Sequence, residues 1–166
     1  MSDVLVRGFG QFDEIKMVKY WTGSVDGALG EITANNFQQV LHFLNEDEQM
    51  DRADWIAYAL ATVWYECINL WLPVEEFGGG ARHEGRVDLG NTEVGDGKRF
   101  KSRGYIPLTG RANYRCMSVV LNLDLEGQPE QVLDPNISYR ILSEGMRNGL
   151  FSGKKLDNYL NPQEQD

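Results

Sequence analysis

From Trp55 to Tyr65 the chain carries no charged side chain, reading Trp-Ile-Ala-Tyr-Ala-Leu-Ala-Thr-Val-Trp-Tyr. An amphipathic surface helix shows a charge every third or fourth position. A stretch that is apolar almost all round predicts the central buried helix of an α-rich domain. Ala57, Ala59 and Ala61 would let neighbouring helices approach closely. Asp51 or Asp54 can cap the helix start by accepting a free first-turn amide. Glu66 follows the apolar run immediately.

The rest of the chain divides around this helix. Phe12, Ile15, Val18 and Trp21 suggest a short amphipathic piece, which Gly23, Gly27 and Gly30 interrupt. A helix is predicted from Thr33, an N-cap type, with Phe37, Val40, Leu41 and Leu44 on its apolar face and Asn45 to Glu48 ending it. Residues 74–104 hold eight glycines and many charges. So long a stretch reads as an exposed functional or disordered loop, with room for a short hairpin. A third helix is expected over about 111–122, with Cys116, Met117, Val120 and Leu121 on one face. A fourth starts at Asp134-Pro135, a capping residue followed by proline at the first helical position, and stops at Gly149. Phe151, Leu156, Tyr159 and Leu160 are expected to pack back on the core, and 161–166 is a polar tail. At 166 residues the natural reading is one domain, 1–166, with 1–30 a variable N-terminal segment.

Charge narrows the partners. The formal net charge is −9, which argues against a nucleic-acid partner held by phosphate contacts. No apolar run is long enough for a membrane span. The start lacks the pattern of a signal peptide, so the expected location is cytoplasmic. Cys67 and Cys116 read as buried thiols in a reducing compartment, with one disulfide left open. Neither forms a metal site with His42 or His83, and no cofactor motif is found.

Three groups of residues could carry chemistry. A carboxyl that ends an apolar helix, as Glu66 does, loses hydration, which favours the protonated form a general acid needs. Pointing into water or meeting an arginine is the alternative. Glu75, Glu76 and Glu84 lie in or beside the glycine-rich loop. Glycoside hydrolysis needs two carboxyls flanking the bond, one to protonate the leaving oxygen and one to activate water or attack. Residues 98–114 gather basic, aromatic and hydrogen-bonding side chains. They could line a sugar or anionic-polymer groove, or their arginines could pair with Asp88, Glu93 and Asp96.

The stretch Arg103-Gly104-Tyr105-Ile106-Pro107-Leu108-Thr109-Gly110-Arg111-Ala112-Asn113-Tyr114 resembles the signature of glycoside hydrolase family 19, the chitinases and related phage and prophage endolysins. The segments Ala57 to Glu66, Pro73 to Gly78, Glu84-Gly85-Arg86, Asp88 to Thr92, Gly95-Asp96-Gly97, Leu133 to Leu142, Gly145-Met146, Gly149 and Phe151 to Leu156 agree with the endolysin branch, so the resemblance covers roughly residues 30–160. It implies a mainly α, lysozyme-like fold of two helical lobes, cleaving β-1,4 bonds of peptidoglycan or chitin-type polymers without a cofactor. It implies Glu66 as general acid, Glu84 or Glu76 as second carboxylate, and Thr109 holding the attacking water. Tyr65, Arg103, Tyr105 and Asn113 are the implied sugar contacts. The family inverts at the anomeric carbon, which goes with carboxyls roughly 6.5–9.5 Å apart. An endolysin of this type would act from the host cytoplasm before lysis or ride in the virion. Three positions depart from the pattern. Tyr65 replaces the usual His, Ser102 the first Gly of Gly-Arg-Gly, and Pro107 the Gln of Gln-Leu-Thr. These departures keep a second reading open: a catalytically silent lysozyme-like protein, a virion component or an inhibitor with a protein partner.

Overall fold

The computed structural model describes residues 28–160. The amphipathic piece expected at Phe12 to Trp21 and the tail 161–166 lie outside them. The described residues are mainly α-helical, with six α-helices and one two-stranded sheet. By their contacts they fall into two compact units. One contains 28–72 and 145–160, and the other is Pro73–Glu144.

In the first unit, α1 spans Ala28–Glu46 and α2 spans Ala53–Glu66. Helix α1 buries Phe37, Val40, Leu41 and Leu44, the predicted face. It starts before Thr33, however, which is buried within the helix rather than capping it. Helix α2 buries only Ile56, Ala59, Leu60 and Val63. Tyr58, Trp64 and Tyr65 are exposed, Tyr65 at 77%, so the expectation of a helix buried all round is corrected. The 3.6-residue repeat presents one face to the core, and a face without charge is under no obligation to be buried. Arg52, not an aspartate, occupies the N-cap. Its guanidinium pairs with Asp54 at 2.6 Å and with Asp157 at 2.9 Å, and it stacks on the Trp55 ring.

After Glu66 the backbone turns through left-handed conformations at Ile68, Asn69 and Trp71. For β-branched Ile68 this costs about 1–2 kcal/mol. The segment is held by the buried Trp71 ring, 4.4 Å from Phe37, and by the Asn36 amide donating to the Leu70 carbonyl at 3.0 Å. Cys67 is buried, and burial together with the neighbouring Glu66 charge pushes its thiol up to about 12. Cys116 is exposed, which corrects its expected burial, and neither cysteine is in a disulfide among the described residues. Toward the C-terminus, Leu156 of α6 (Leu156–Tyr159) is buried as expected, whereas Phe151 and Tyr159 are exposed.

The second unit is built on a hairpin and a helix. Strand β1 (Val74–Glu75) pairs antiparallel with β2 (Arg103–Gly104), Val74 opposite Gly104 and Glu75 opposite Arg103. The glycine-rich stretch between them is ordered, with 3₁₀ turns at Ala81–His83 and Val87–Leu89 and the short α3 at Asp96–Arg99. Helix α4 (Arg111–Leu121) buries Tyr114, Met117 and Leu121. The expected face is therefore rotated: Cys116 and Val120 point outward. Helix α5 (Pro135–Asn148) starts as predicted, with the Asp134 carboxylate accepting the Asn136 and Ile137 amides at 2.9 and 3.0 Å. The core joins Phe100, Leu108, Tyr114, Met117, Leu121, Leu125, Val132 and Ile141. Each such burial contributes about 1.5–3 kcal/mol.

Two glycines let the loop close on itself. A Cβ on Gly80 would lie 2.1 Å from the Gly97 carbonyl oxygen, and one on Gly97 would lie 2.5 Å from the Glu84 amide nitrogen. Gly80 also sits at φ +78°. Both clashes are with backbone, which cannot step aside. Gly80→Ala and Gly97→Ala should each cost about 2 kcal/mol or more, lowering the melting temperature by about 4–8 °C. Unchanged thermal unfolding in both variants would show that the loop does not pack this way.

Candidate functional site

The polar side chains of the second unit converge on the hairpin. Arg103 is the hub, its side chain only 8% exposed. Its Nε donates to Glu75 at 2.7 Å, and its Nη1 donates to the Arg99 carbonyl and the Tyr114 hydroxyl, each at 3.0 Å. Tyr114 in turn donates to the Lys101 carbonyl at 2.8 Å. Burial pushes the Tyr114 phenol up to about 12 against the opposing Arg103 hydrogen bond, so it stays neutral. Lys101 reaches the other Glu75 oxygen at 2.5 Å. Burial would raise the Glu75 carboxyl, but hydrogen bonds and charge from Lys101 and Arg103 outweigh it and hold Glu75 below the usual carboxylate range. Its side chain remains 36% exposed. It is an anchored, ionised carboxylate with one open side.

Glu76 is different. Its side chain is 9% exposed. Its carboxylate accepts from Arg82 at 2.5 Å and from the Ser102 amide at 3.3 Å, and it lies 3.1 Å from His83 Nε2. Burial works against ionisation, yet the His83 and Ser102 hydrogen bonds and the His83 and Arg82 charges keep its carboxyl lowered. Glu84 spends one oxygen on the Gly95 amide at 2.6 Å and the other on the Gly97 amide at 2.8 Å. It clamps the loop at the start of α3.

Thr109 and Asn113 are also engaged within the unit. The Thr109 hydroxyl meets the Ser102 hydroxyl at 2.7 Å and donates to the Pro107 carbonyl at 3.2 Å. Ser102 and Pro107 thus touch the same hydroxyl. The Asn113 amide donates to the Thr109 carbonyl at 2.7 Å, and Asn113 itself is exposed. Tyr105 is fully buried, with its amide donating to Ser138 Oγ at 2.6 Å. Of the expected sugar contacts, Arg103 and Tyr105 are therefore interior, while Asn113 and Tyr65 are open to solvent. Glu66 is half-buried at the last position of α2, and Tyr65 precedes it, both in the first unit. Glu75, Glu76, Glu84 and Thr109 all belong to the second unit.

The basic run splits in two. Arg111 makes a fork to buried Asp96, Nε to Oδ2 at 3.0 Å and Nη2 to Oδ1 at 2.5 Å, and also reaches Glu93 and Glu126. Arg115 pairs with Glu126 at 2.7 Å. These cations are spent on structure, as the alternative reading of the run expected for Glu93 and Asp96. Asn91, wholly buried, ties the loop to α4, donating to the His83 carbonyl and accepting the Arg111 amide, both at 2.8 Å. Glu75 is the residue whose role sequence reading undervalued. The signal was the strand register that sets it opposite Arg103, which pattern alone does not reveal. Among the described residues no cluster of His, Cys, Asp and Glu could hold a metal ion. No protein-family model matches the chain, and no solved structure matches it.

The Asp96 carboxyl lies below its ordinary value, chiefly through the Arg111 hydrogen bond and against the effect of burial. Its ionised form therefore stabilises the fold. That contribution is complete above about pH 5 and is lost as pH falls through the lowered folded value. Asp96→Asn leaves Arg111 short of its buried partner and should cost about 3 kcal/mol at pH 7, with a shallower loss toward pH 3 than the wild type. Urea unfolding at pH 7, 5 and 3 measures both. Equal stability of the two proteins at pH 7 would contradict the assignment.

Proposed function

We propose that the protein is a lysozyme-like glycoside hydrolase of phage or prophage type that cleaves β-1,4 bonds in peptidoglycan or chitin-type polymers without a cofactor. The observation that carries this reading is the Glu75 carboxylate, held ionised between Lys101 and Arg103 with one side open. Such a group can accept a proton from an attacking water. Glu76 is held by three internal donors and Glu84 clamps the Gly95 and Gly97 amides of the loop, so we assign the role of base to Glu75. The resemblance implies Glu66 as general acid and Tyr65 as a sugar contact in the first unit, and Thr109 beside the water and Asn113 on the sugar chain in the second. No helix among the described residues is long and apolar enough to cross a membrane. Action from the host cytoplasm before lysis, or from the virion, suits this chemistry.

One observation favours the second reading, a silent lysozyme-like protein that works by binding another protein. Ser102 stands where the family has glycine, and its hydroxyl occupies the Thr109 hydroxyl at 2.7 Å. A group bonded in this way is less free to hold water.

Clearing of peptidoglycan and of chitin by the full chain decides between them. The hydrolase reading expects clearing that Glu66→Gln abolishes and that Glu75→Gln lowers by about 10²–10⁴-fold, the range for loss of a general acid or base. Ser102→Gly should raise the rate by freeing Thr109. A folded wild type and Ser102→Gly variant that both fail to clear either polymer would overturn hydrolysis in favour of the silent reading.

A further inference from the structure

Two cations grip Glu75, Lys101 at 2.5 Å and Arg103 at 2.7 Å. One hydroxyl ties both of those residues to α4. Tyr114 accepts from Arg103 Nη1 at 3.0 Å and donates to the Lys101 carbonyl at 2.8 Å. Its ring is fully buried, 5.4 Å from the Phe100 ring, in the core that also holds Leu108, Met117 and Leu121. A ring packed in this way is a rigid lever with the hydroxyl at its tip. Core packing asks for the ring but not for its oxygen, since a phenylalanine fills nearly the same space. Nor is the hydroxyl the last acceptor open to Arg103. Nη1 also donates to the Arg99 carbonyl at 3.0 Å and to the Lys101 carbonyl at 3.4 Å. A buried hydroxyl costs free energy unless it is hydrogen-bonded. Here it both accepts and donates, and each bond goes to a residue that holds Glu75. Burial pushes the phenol up to about 12, so near neutral pH it keeps the proton that it gives to Lys101.

We propose that Tyr114 is a positioning residue for Glu75: its hydroxyl fixes the Lys101 main chain and the Arg103 guanidinium relative to each other, and so sets the direction of the carboxylate and the closeness of the two cations to it. This rests on the assignment of Glu75 as base and adds to it a residue that is itself wholly buried. Among the described residues the charged groups bonded to Glu75 are Lys101 and Arg103, while Arg82 and His83 bear on Glu76, its neighbour in the chain. Without the hydroxyl, Lys101 and Arg103 lose their common tie and hold Glu75 less closely. Its ionised form is then less favoured, and its titration moves to higher pH. A base must be ionised to accept a proton, so the acidic limb of the rate profile moves up with it. Substrate affinity does not pass through Tyr114 and stays as it is.

Carbon-13 spectra of the full chain over a pH series, with the Glu75 carboxyl assigned through Glu75→Gln, read this without turnover. In the wild type the Tyr114 ring carbon that bears the hydroxyl should shift at the same midpoint as the Glu75 carboxyl. In Tyr114→Phe the Glu75 midpoint should move to higher pH. Leu121→Ala opens the same core on the same helix, about 10 Å from Tyr114, and should leave that midpoint in place. On the polymer that the wild type clears, Tyr114→Phe should lower kcat about 10–10²-fold with KM changed by less than about 2-fold, and the acidic limb should follow Glu75 upward. A Tyr114 carbon that does not respond to the Glu75 titration overturns the proposal, and that reading needs no variant to fold. So does an unmoved Glu75 midpoint in Tyr114→Phe, or an equal move in Leu121→Ala. Coupled titration in a chain whose wild type cleaves nothing upholds the hold of Tyr114 on Glu75 and overturns the hydrolase. Cleavage without that coupling does the reverse.

Discussion

A guanidinium that is more than nine-tenths buried must be neutralised and hydrogen-bonded, or the fold that buries it is lost. Arg103 meets that demand with groups from three parts of the second unit. These are the Glu75 carboxylate on β1, the Arg99 carbonyl at the end of α3, and the Tyr114 hydroxyl on α4. Satisfying one charge thereby orients the hairpin, the end of the glycine-rich loop and the helix that carries much of the core. It also determines the state of the candidate site. Glu75 is ionised and anchored because Arg103 and Lys101 need it, and it stays partly open because neither encloses it.

The loop between the strands is ordered by side chains that bind backbone. Glu84, Asn91 and Asp96 together accept or donate to the Gly95, Gly97, Arg111, Glu93 and His83 main chain. These bonds hold segments that have no periodic structure of their own, and the glycines allow the backbones to touch. The same economy divides the cations. Arg111 and Arg115 are absorbed into the framework with Asp96, Glu93 and Glu126, whereas Lys98 and Arg99 have no carboxylate partner among the described residues. A strongly acidic chain thus keeps two exposed cations, Lys98 and Arg99, side by side, which net charge alone conceals.

What can be read from the sequence follows the range of each interaction. The start of α5 at Asp134-Pro135 is legible because capping is local, and so is the apolar face of α1 because its repeat is regular. The helical class is legible for the same reason. The buried face of α4 is misjudged because Cys116 and Val120 are apolar by type, while the core takes the aromatic Tyr114 in their place. Helix α2 is misjudged because alanines and aromatics tolerate water as readily as burial. For the site, residue type suggests carboxylates, a hydroxyl and a basic run, but exposure is not written in type. Arg103 and Tyr105 are interior, and Glu84 serves the backbone of residues far along the chain. Those partners are set by non-local closure, which no periodicity announces.

In the function proposed above, Glu75 activates a water for direct attack on a β-1,4 glycosidic bond. Anomeric proton spectra recorded in the first minutes of digestion test it most directly. Direct attack by water inverts the anomeric carbon, so the α-anomer should appear first and relax to the equilibrium mixture by mutarotation. Initial release of the β-anomer would require a covalent intermediate and would contradict the assignment of roles.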